Sequence, residues 1–111
     1  MDCVFCKIAN GEIPTEAIYE DDHIIAFNDL DPQAPIHVLV IPKKHITSLA
    51  RLDEGDGGLM GHIMLKIAEI AADMGLEGYR VVTNIGEDGG QSVPHLHFHV
   101  LGGRSLQWPP G

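Results

Sequence analysis

Pro94-His95-Leu96-His97-Phe98-His99-Val100-Leu101 alternates strictly between imidazole and apolar side chains. Successive side chains on a strand point to opposite faces, with same-face neighbours about 6.5 Å apart. The pattern predicts a strand over 95–101. Leu96, Phe98 and Val100 then face a covered side, and His95, His97 and His99 form a row on the other. A merely solvated face is ordinarily filled by Lys, Thr, Glu or Ser. Two chemistries call for imidazoles in a row. One is a mononuclear metal site, since His is the commonest metal ligand. The other is a catalytic centre, since His serves as nucleophile and as general acid or base.

Upstream lies Gly89-Gly90-Gln91-Ser92-Val93. A Gly-rich approach lets backbone N–H groups crowd round an anion. Ser92 adds a hydroxyl beside them. Donors next to a row of imidazoles fit a phosphoryl group better than a closed metal cage. A turn that only needs flexibility reads nearly the same way.

Working outward, Tyr79–Asn84 reads as the strand before that loop. Before it, Leu59, Ile63, Ile67, Ile70 and Met74 recur at helical spacing, widened by Met60, Met64 and Ala71. Asp53 and Asp56 are candidate N-caps of this long helix and Gly75 its stop. His37–Ile41, between Pro35 and Pro42, reads as a buried strand. Ala17–Glu20 and His23–Asn28 read as a hairpin turning at Asp21-Asp22. Phe5–Asn10 reads as a short helix ended by Gly11. His23 and His62 read as surface or boundary residues. The order gives an α+β fold, with a five-stranded antiparallel sheet, one long helix and one short one. Neither a dinucleotide fingerprint nor a Walker A loop is present.

The chain has 111 residues, enough for a single domain over 1–111, and a formal net charge of −9. That balance argues against nucleic-acid and anionic-membrane partners, both of which need a positive surface. No apolar run approaches the roughly 18 residues of a spanning helix. No basic segment leads into an apolar one at the N-terminus, so the expectation is a soluble, cytoplasmic protein. In that setting the pair Cys3-x-x-Cys6 is read as a metal half-site or a redox motif, against two unrelated small thiols.

The motif His95-x-His97-x-His99 with its apolar tail resembles the histidine triad family. Gln91-Ser92-Val93, Leu101-Gly102-Gly103-Arg104, Trp108-Pro109-Pro110-Gly111 and the segment from Ala34 to His45 resemble its Hint branch. The resemblance runs from about Cys3 to Gly111. It implies a homodimer in which two five-stranded sheets join into one of ten strands. It implies a hydrolase acting at the α-phosphate of purine nucleoside phosphoramidates, AMP or GMP linked to an amine. The intermediate is a covalent nucleotidyl-histidine, and the chemistry requires no metal. Alternatives within the superfamily are a dinucleoside polyphosphate hydrolase and a non-catalytic nucleotide-sensing module. Outside it stands a zinc protein using His95, His97 and His99 together, which leaves Ser92, His37 and the tail unexplained.

Carried over by position, His97 is the nucleophile and His99 holds a phosphate oxygen. Ser92 assists the leaving amine, and His37 orients the nucleophile. Val4, Phe5, Ile8, Phe27 and Leu30 fall on the base pocket, although for Val4, Ile8 and Phe27 core packing is the plainer reading. Asp29 matches the ribose contact, and Asn28 stands where many Hint proteins have His. Asn84, Gly90 and Gln91 fall on the phosphate side, and Trp108 near the partner subunit's site. Some superfamily members complete a Cys-x-x-Cys with two His, matching His45 and His95. The implied structural zinc site is therefore Cys3, Cys6, His45 and His95.

Overall fold

The computed structural model describes residues 3–111. Helix α1 (Val4–Ala9) is followed by strands β1 (Ala17–Glu20), β2 (Ile24–Asn28) and β3 (Ile36–Pro42). Helix α2 (Gly57–Asp73) leads to β4 (Tyr79–Val82) and β5 (Phe98–Gly102). The sheet runs β1-β2-β3-β5-β4, antiparallel throughout. This is the expected α+β arrangement. Hairpin order breaks only at the edge, where β5 inserts between β3 and β4 and so becomes an inner strand.

The period-2 pattern of β2 and β3 divides two cores. Ile24, Ala26, Val38 and Val40 join Leu96, Phe98 and Val100 under Ile63, Ile67 and Ile70 of α2. Ile25, Phe27, Leu39 and Ile41 face the other way and pack with Cys3 and Phe5. Ile63 is fully buried. Burying such a side chain is worth about 1.5–3 kcal/mol, and truncating it to Ala costs roughly 2–5 kcal/mol. Met64 departs from the expected stripe and is exposed.

Asp21 makes the first hairpin. Its Oδ1 accepts from the His23 and Ile24 N–H groups, and its Oδ2 from Tyr19 Oη–H and the His62 ring. Burial raises the Asp21 carboxyl, but these donors outweigh it and hold the group well below the usual range. His62 is therefore a half-buried tie between α2 and the hairpin, while His23 is exposed.

The expected caps of α2 have other partners. Asp53 caps the short 3-10 turn Glu54–Asp56, accepting from Gly55 N–H. Asp56 takes Lys44 Nζ at 2.6 Å and the Asp53 N–H, and makes no side-chain cap on α2. Those contacts pull its carboxyl below the ordinary value. α2 stops at Gly75 as expected, with φ +76°.

Three strands are shorter than the sequence indicates, β2 by the single residue His23. β4 ends at Val82 and β5 begins at Phe98, so His95 and His97 precede the strand. Local bonds replace the ladder there. Thr83 Oγ1–H donates to the His97 carbonyl and Leu96 N–H to the Ile46 carbonyl. Alternation survives nonetheless: Leu96 lies under α2 and the His97 ring against Phe5 on the other face.

Candidate active site and metal site

His97 and His99 line a cleft of about 260 Å³ beside α1. Val4, Phe5, Ile8, Phe27, Leu30 and Leu39 form its apolar wall, and Asp29, Ser92 and Val93 its rim. The Phe5 ring meets the Phe27 ring edge-on at 5.9 Å and the His97 ring at 5.1 Å. Leu30 is fully exposed. Asn28, Asn84, Gly90, Gln91 and Trp108 are not among the lining residues. Leu39 and Val93 are lining residues that sequence reasoning missed. The signal for Leu39 was its spacing, two residues along β3 from His37 and hence on the same face.

Backbone groups set the protons on these rings. His97 Nδ1–H donates to the His95 carbonyl at 2.7 Å, which leaves His97 Nε2 with its lone pair. The Gln33 N–H donates to His37 Nδ1 at 3.0 Å, so neutral His37 carries its proton on Nε2. That N–H meets His99 Nδ1 at 2.8 Å, with Asp29 Oδ2 3.4 Å away. His99 in turn keeps its proton on Nε2, a buried donor with no partner among the described residues. Burial, reinforced by repulsion from charge on His97 and His37, pushes His99 down to about 4. It is a neutral donor at pH 7. His37 thus bears on His99 and not on His97, whose orienting partner is the His95 carbonyl.

Gln91 is the brace of the Gly-rich loop. Its Oε1 accepts from Gly86 N–H, and its Nε2–H groups donate to the Thr47 and Val93 carbonyls. Asp29 Oδ1 accepts from Asp31 N–H, which folds the opposite rim.

On the far side of Phe5, Cys3, Cys6, His45 and His95 bring one ligand atom each within 4.8 Å of the others. Cys6 Sγ lies 3.2 Å from His45 Nδ1 and 3.5 Å from His95 Nδ1. Cys3 Sγ lies 3.4 Å from His95 Nδ1, and the two Nδ1 atoms are 3.1 Å apart. A tetrahedron with ordinary Zn–N and Zn–S bonds has edges of about 3.3 to 3.8 Å, so the donor set and its spacing fit zinc. His95 Nε2–H donates to the Pro42 carbonyl at 2.9 Å, turning the Nδ1 lone pair toward the other three ligands. Cys3 opens α1, and its sulfur accepts the Cys6 N–H. Burial and the neighbouring Cys3 raise the Cys6 thiol, the state a cation reverses.

A family model described as "Scavenger mRNA decapping enzyme C-term binding" matches residues 2–107. An uncharacterized HIT-like protein of Synechococcus elongatus is 54% identical, covering 99% of this chain and 97% of its own. The chain belongs to the histidine triad family. Among solved structures, a HIT family hydrolase from Legionella pneumophila superposes with a TM-score of 0.97 at 48% identity, covering 99% of this chain and 100% of its own. A histidine triad protein from Clostridium difficile follows with 0.92 at 52%, covering 96% and 95%. Among the described residues no helix is long and apolar enough to cross a membrane.

Proposed function

We propose that this protein hydrolyses purine nucleoside phosphoramidates at the α-phosphorus through a nucleotidyl-His97 intermediate. One observation carries the reading. A lone pair on His97 Nε2 and an unpartnered N–H on His99 Nε2 belong to the same cleft. The first is a nucleophile, and the second is a donor for a phosphoryl oxygen. The Legionella relative is named a hydrolase, in agreement.

His97 Nε2 attacks the α-phosphorus and the P–N bond to the amine breaks. Ser92 on the rim passes a proton to the departing nitrogen. Water then attacks the same phosphorus, the N–P bond to His97 breaks, and the proton released by that water restores the Ser92 hydroxyl as AMP or GMP departs. The His99 N–H stays on the phosphoryl oxygen through both steps, already aimed and neutral.

Val4, Phe5, Ile8, Phe27 and Leu30 offer the base an apolar slot, and the Asp29 carboxylate accepts from ribose hydroxyls. Asn28, Asn84, Gly90 and Gln91 are further nucleotide contacts in this reading, and the Gln91 side chain also holds the loop that carries Ser92. Cys3, Cys6, His45 and His95 hold a structural zinc. A closed four-ligand set leaves no open position, so its chemistry is that of a crosslink. The second partner is another copy of the chain. β4 is a sheet edge with Tyr79 and Val81 exposed, and Met64 and Leu65 are exposed on α2. Trp108, four-fifths exposed, is free to reach that partner's cleft. A reducing cytoplasmic setting suits two unpaired thiols.

The test is hydrolysis of adenosine 5′-phosphoramidate by the wild type and by His97→Ala. The expectation is turnover in the first and a loss of roughly a thousandfold or more in the second, with AMP binding retained. No turnover by a folded wild type that still binds AMP replaces the reading with a nucleotide-sensing module.

A further inference from the structure

We infer that Arg104 is a positioning residue for the catalytic histidines, acting through the backbone of Gln33. Arg104 touches neither ring. Its Nη2–H donates to the Gln33 carbonyl at 2.9 Å, while its Nη1–H donates to the Ser105 carbonyl at 3.0 Å. The N–H of the same Gln33 donates to His37 Nδ1, and His37 donates onward to His99. A guanidinium just past β5 therefore holds one end of a chain that closes on the buried Nε2 of His99.

The geometry for this reach is built in. Gly103 has φ +90°, and a Cβ there would lie 2.9 Å from the Pro35 Cβ. Only glycine lets the chain turn so close to the 29–35 loop, and the turn sends the Arg104 side chain back over Gln33. The other hydrogen bonds of Asp29, Asp31 and Gln33 among the described residues are internal to this region. Asp31 N–H donates to Asp29 Oδ1, Gln33 Nε2–H to the Asp31 carbonyl, and Asp29 N–H to the His37 carbonyl. They shape the loop, and Arg104 ties it to the end of the catalytic strand.

The consequence is a choice of tautomer. With the Gln33 N–H in place, His37 Nδ1 must accept and Nε2 must donate. If Gln33 turns away, His37 is free to carry its proton on Nδ1 and present a lone pair at Nε2. His99 then has to donate from Nδ1, and its Nε2 faces the cleft as an acceptor. A donor to the phosphoryl oxygen becomes a repulsive lone pair at the same position. The effect falls on the transition state, where negative charge on that oxygen is greatest, more than on ground-state binding.

The kinetic half of this inference rests on the proposed hydrolase reading; the tautomer half does not. The test compares wild type, Arg104→Met, which keeps the stem and has no donor, and Arg104→Lys, which keeps one. Imidazole nitrogen NMR on the ¹⁵N-labelled, metal-loaded chain at pH 7 reads the tautomers of His37 and His99. Adenosine 5′-phosphoramidate kinetics read kcat and KM. Both rings are expected as the Nε2–H tautomer in the wild type and as a mixture in Arg104→Met. In Arg104→Met kcat falls about tenfold with KM changed less than about twofold, the scale of one charge-assisted hydrogen bond, and Arg104→Lys recovers most of it. Folded Arg104→Met with wild-type tautomers overturns the inference, whatever the activity. So does a fall in kcat that Lys does not restore. A wild type that shows the Nε2–H tautomers but no turnover removes the hydrolase reading and leaves the positioning role standing.

Discussion

His37 Nε2 lies 2.8 Å from His99 Nδ1, and that bond decides which nitrogen of His99 carries the proton. The two rings sit on adjacent strands, where Leu39 pairs with His99 and His37 lies one same-face step along β3. Removing the donor frees the His99 tautomer. His37→Ala is expected to lower kcat by roughly 10- to 100-fold while the AMP Kd moves less than about threefold. Steady-state kinetics beside AMP titration calorimetry check this. A rise in Kd as large as the fall in kcat would mean that His37 shapes binding and not the reacting geometry.

The low value of His99 sets a pH dependence of stability. The folded group titrates at about 4 and the unfolded one near 6.5, so above pH 7 both are neutral and contribute nothing. Below 6.5 the unfolded chain takes the proton first. Folding is opposed increasingly down to pH 4, by up to about 3 kcal/mol. Asp21 works in the same direction at lower pH: its depressed value stabilises the fold above about pH 4 and is lost below it. The Tm is therefore expected to be flat from pH 8 to 7 and to fall steadily to pH 4. His99→Gln, with nothing to titrate there, should fall less between 6.5 and 5. Parallel curves for the two proteins would show that the acid loss arises elsewhere.

Much of this was legible from side-chain periodicity. The stripe Ile63, Ile67, Ile70 marked α2, and the alternation of Leu96, Phe98 and Val100 marked the covered face of β5 and the segment leading into it. Cys3-x-x-Cys6 was legible as a half-site from its own spacing, whereas its cluster with His45 and His95 was legible only through resemblance, because no spacing links residues 6, 45 and 95. What escaped depends on backbone partners. The start of β5 is set by Thr83 taking the His97 carbonyl, and the tautomer of His37 by one Gln33 N–H. Neither leaves a pattern in the sequence. Asp56 looked like a helix cap because of its place in the chain, yet Lys44 satisfies it. The brace that the Gln91 side chain makes between Gly86, Thr47 and Val93 was likewise not legible.

Metal removal should act on nucleotide binding as well as on stability. α1 carries Cys3 as its cap and Cys6 in its first turn, and also Val4, Phe5 and Ile8 of the cleft wall. Phe5 stands between the two sites, 5.9 Å from the His95 ring and 5.1 Å from the His97 ring. Chelation, or Cys6→Ser, is expected to lower the Tm by about 10 °C or more, equivalent to roughly 2 kcal/mol or more in a domain this size. The AMP Kd should rise severalfold, because the slot for the base loses one wall. Metal analysis should find one zinc per chain in the untreated protein. A chelated protein with unchanged Tm and unchanged AMP affinity would show that the thiol and imidazole cluster holds α1 without an ion.

Gly89 provides the sharpest steric test of the Gly-rich loop. A Cβ at this position would lie 2.2 Å from the Ile85 carbonyl oxygen and 2.9 Å from the Ile85 nitrogen. Both are backbone atoms and cannot swing aside. The turn is fixed by Gly90 N–H to the Glu87 carbonyl, Gln91 N–H to the Gly86 carbonyl, and the Gln91 side chain back to Gly86 N–H. Gly89→Ala must open that turn, and Ser92 and Val93 on the cleft rim move with it. Overpacking of this kind costs about 1–3 kcal/mol. Turnover should fall further than stability does, since a displaced Ser92 no longer meets the leaving nitrogen. Gly61→Ala is the matched control: it lies on an exposed turn of α2 with nothing within 4 Å of the new methyl group. That substitution should stabilise by about 0.5–1 kcal/mol and leave kcat unchanged. Thermal melts and phosphoramidate kinetics on the two variants separate the effects. A Gly89→Ala protein with wild-type kcat would place the rim serine outside the reaction.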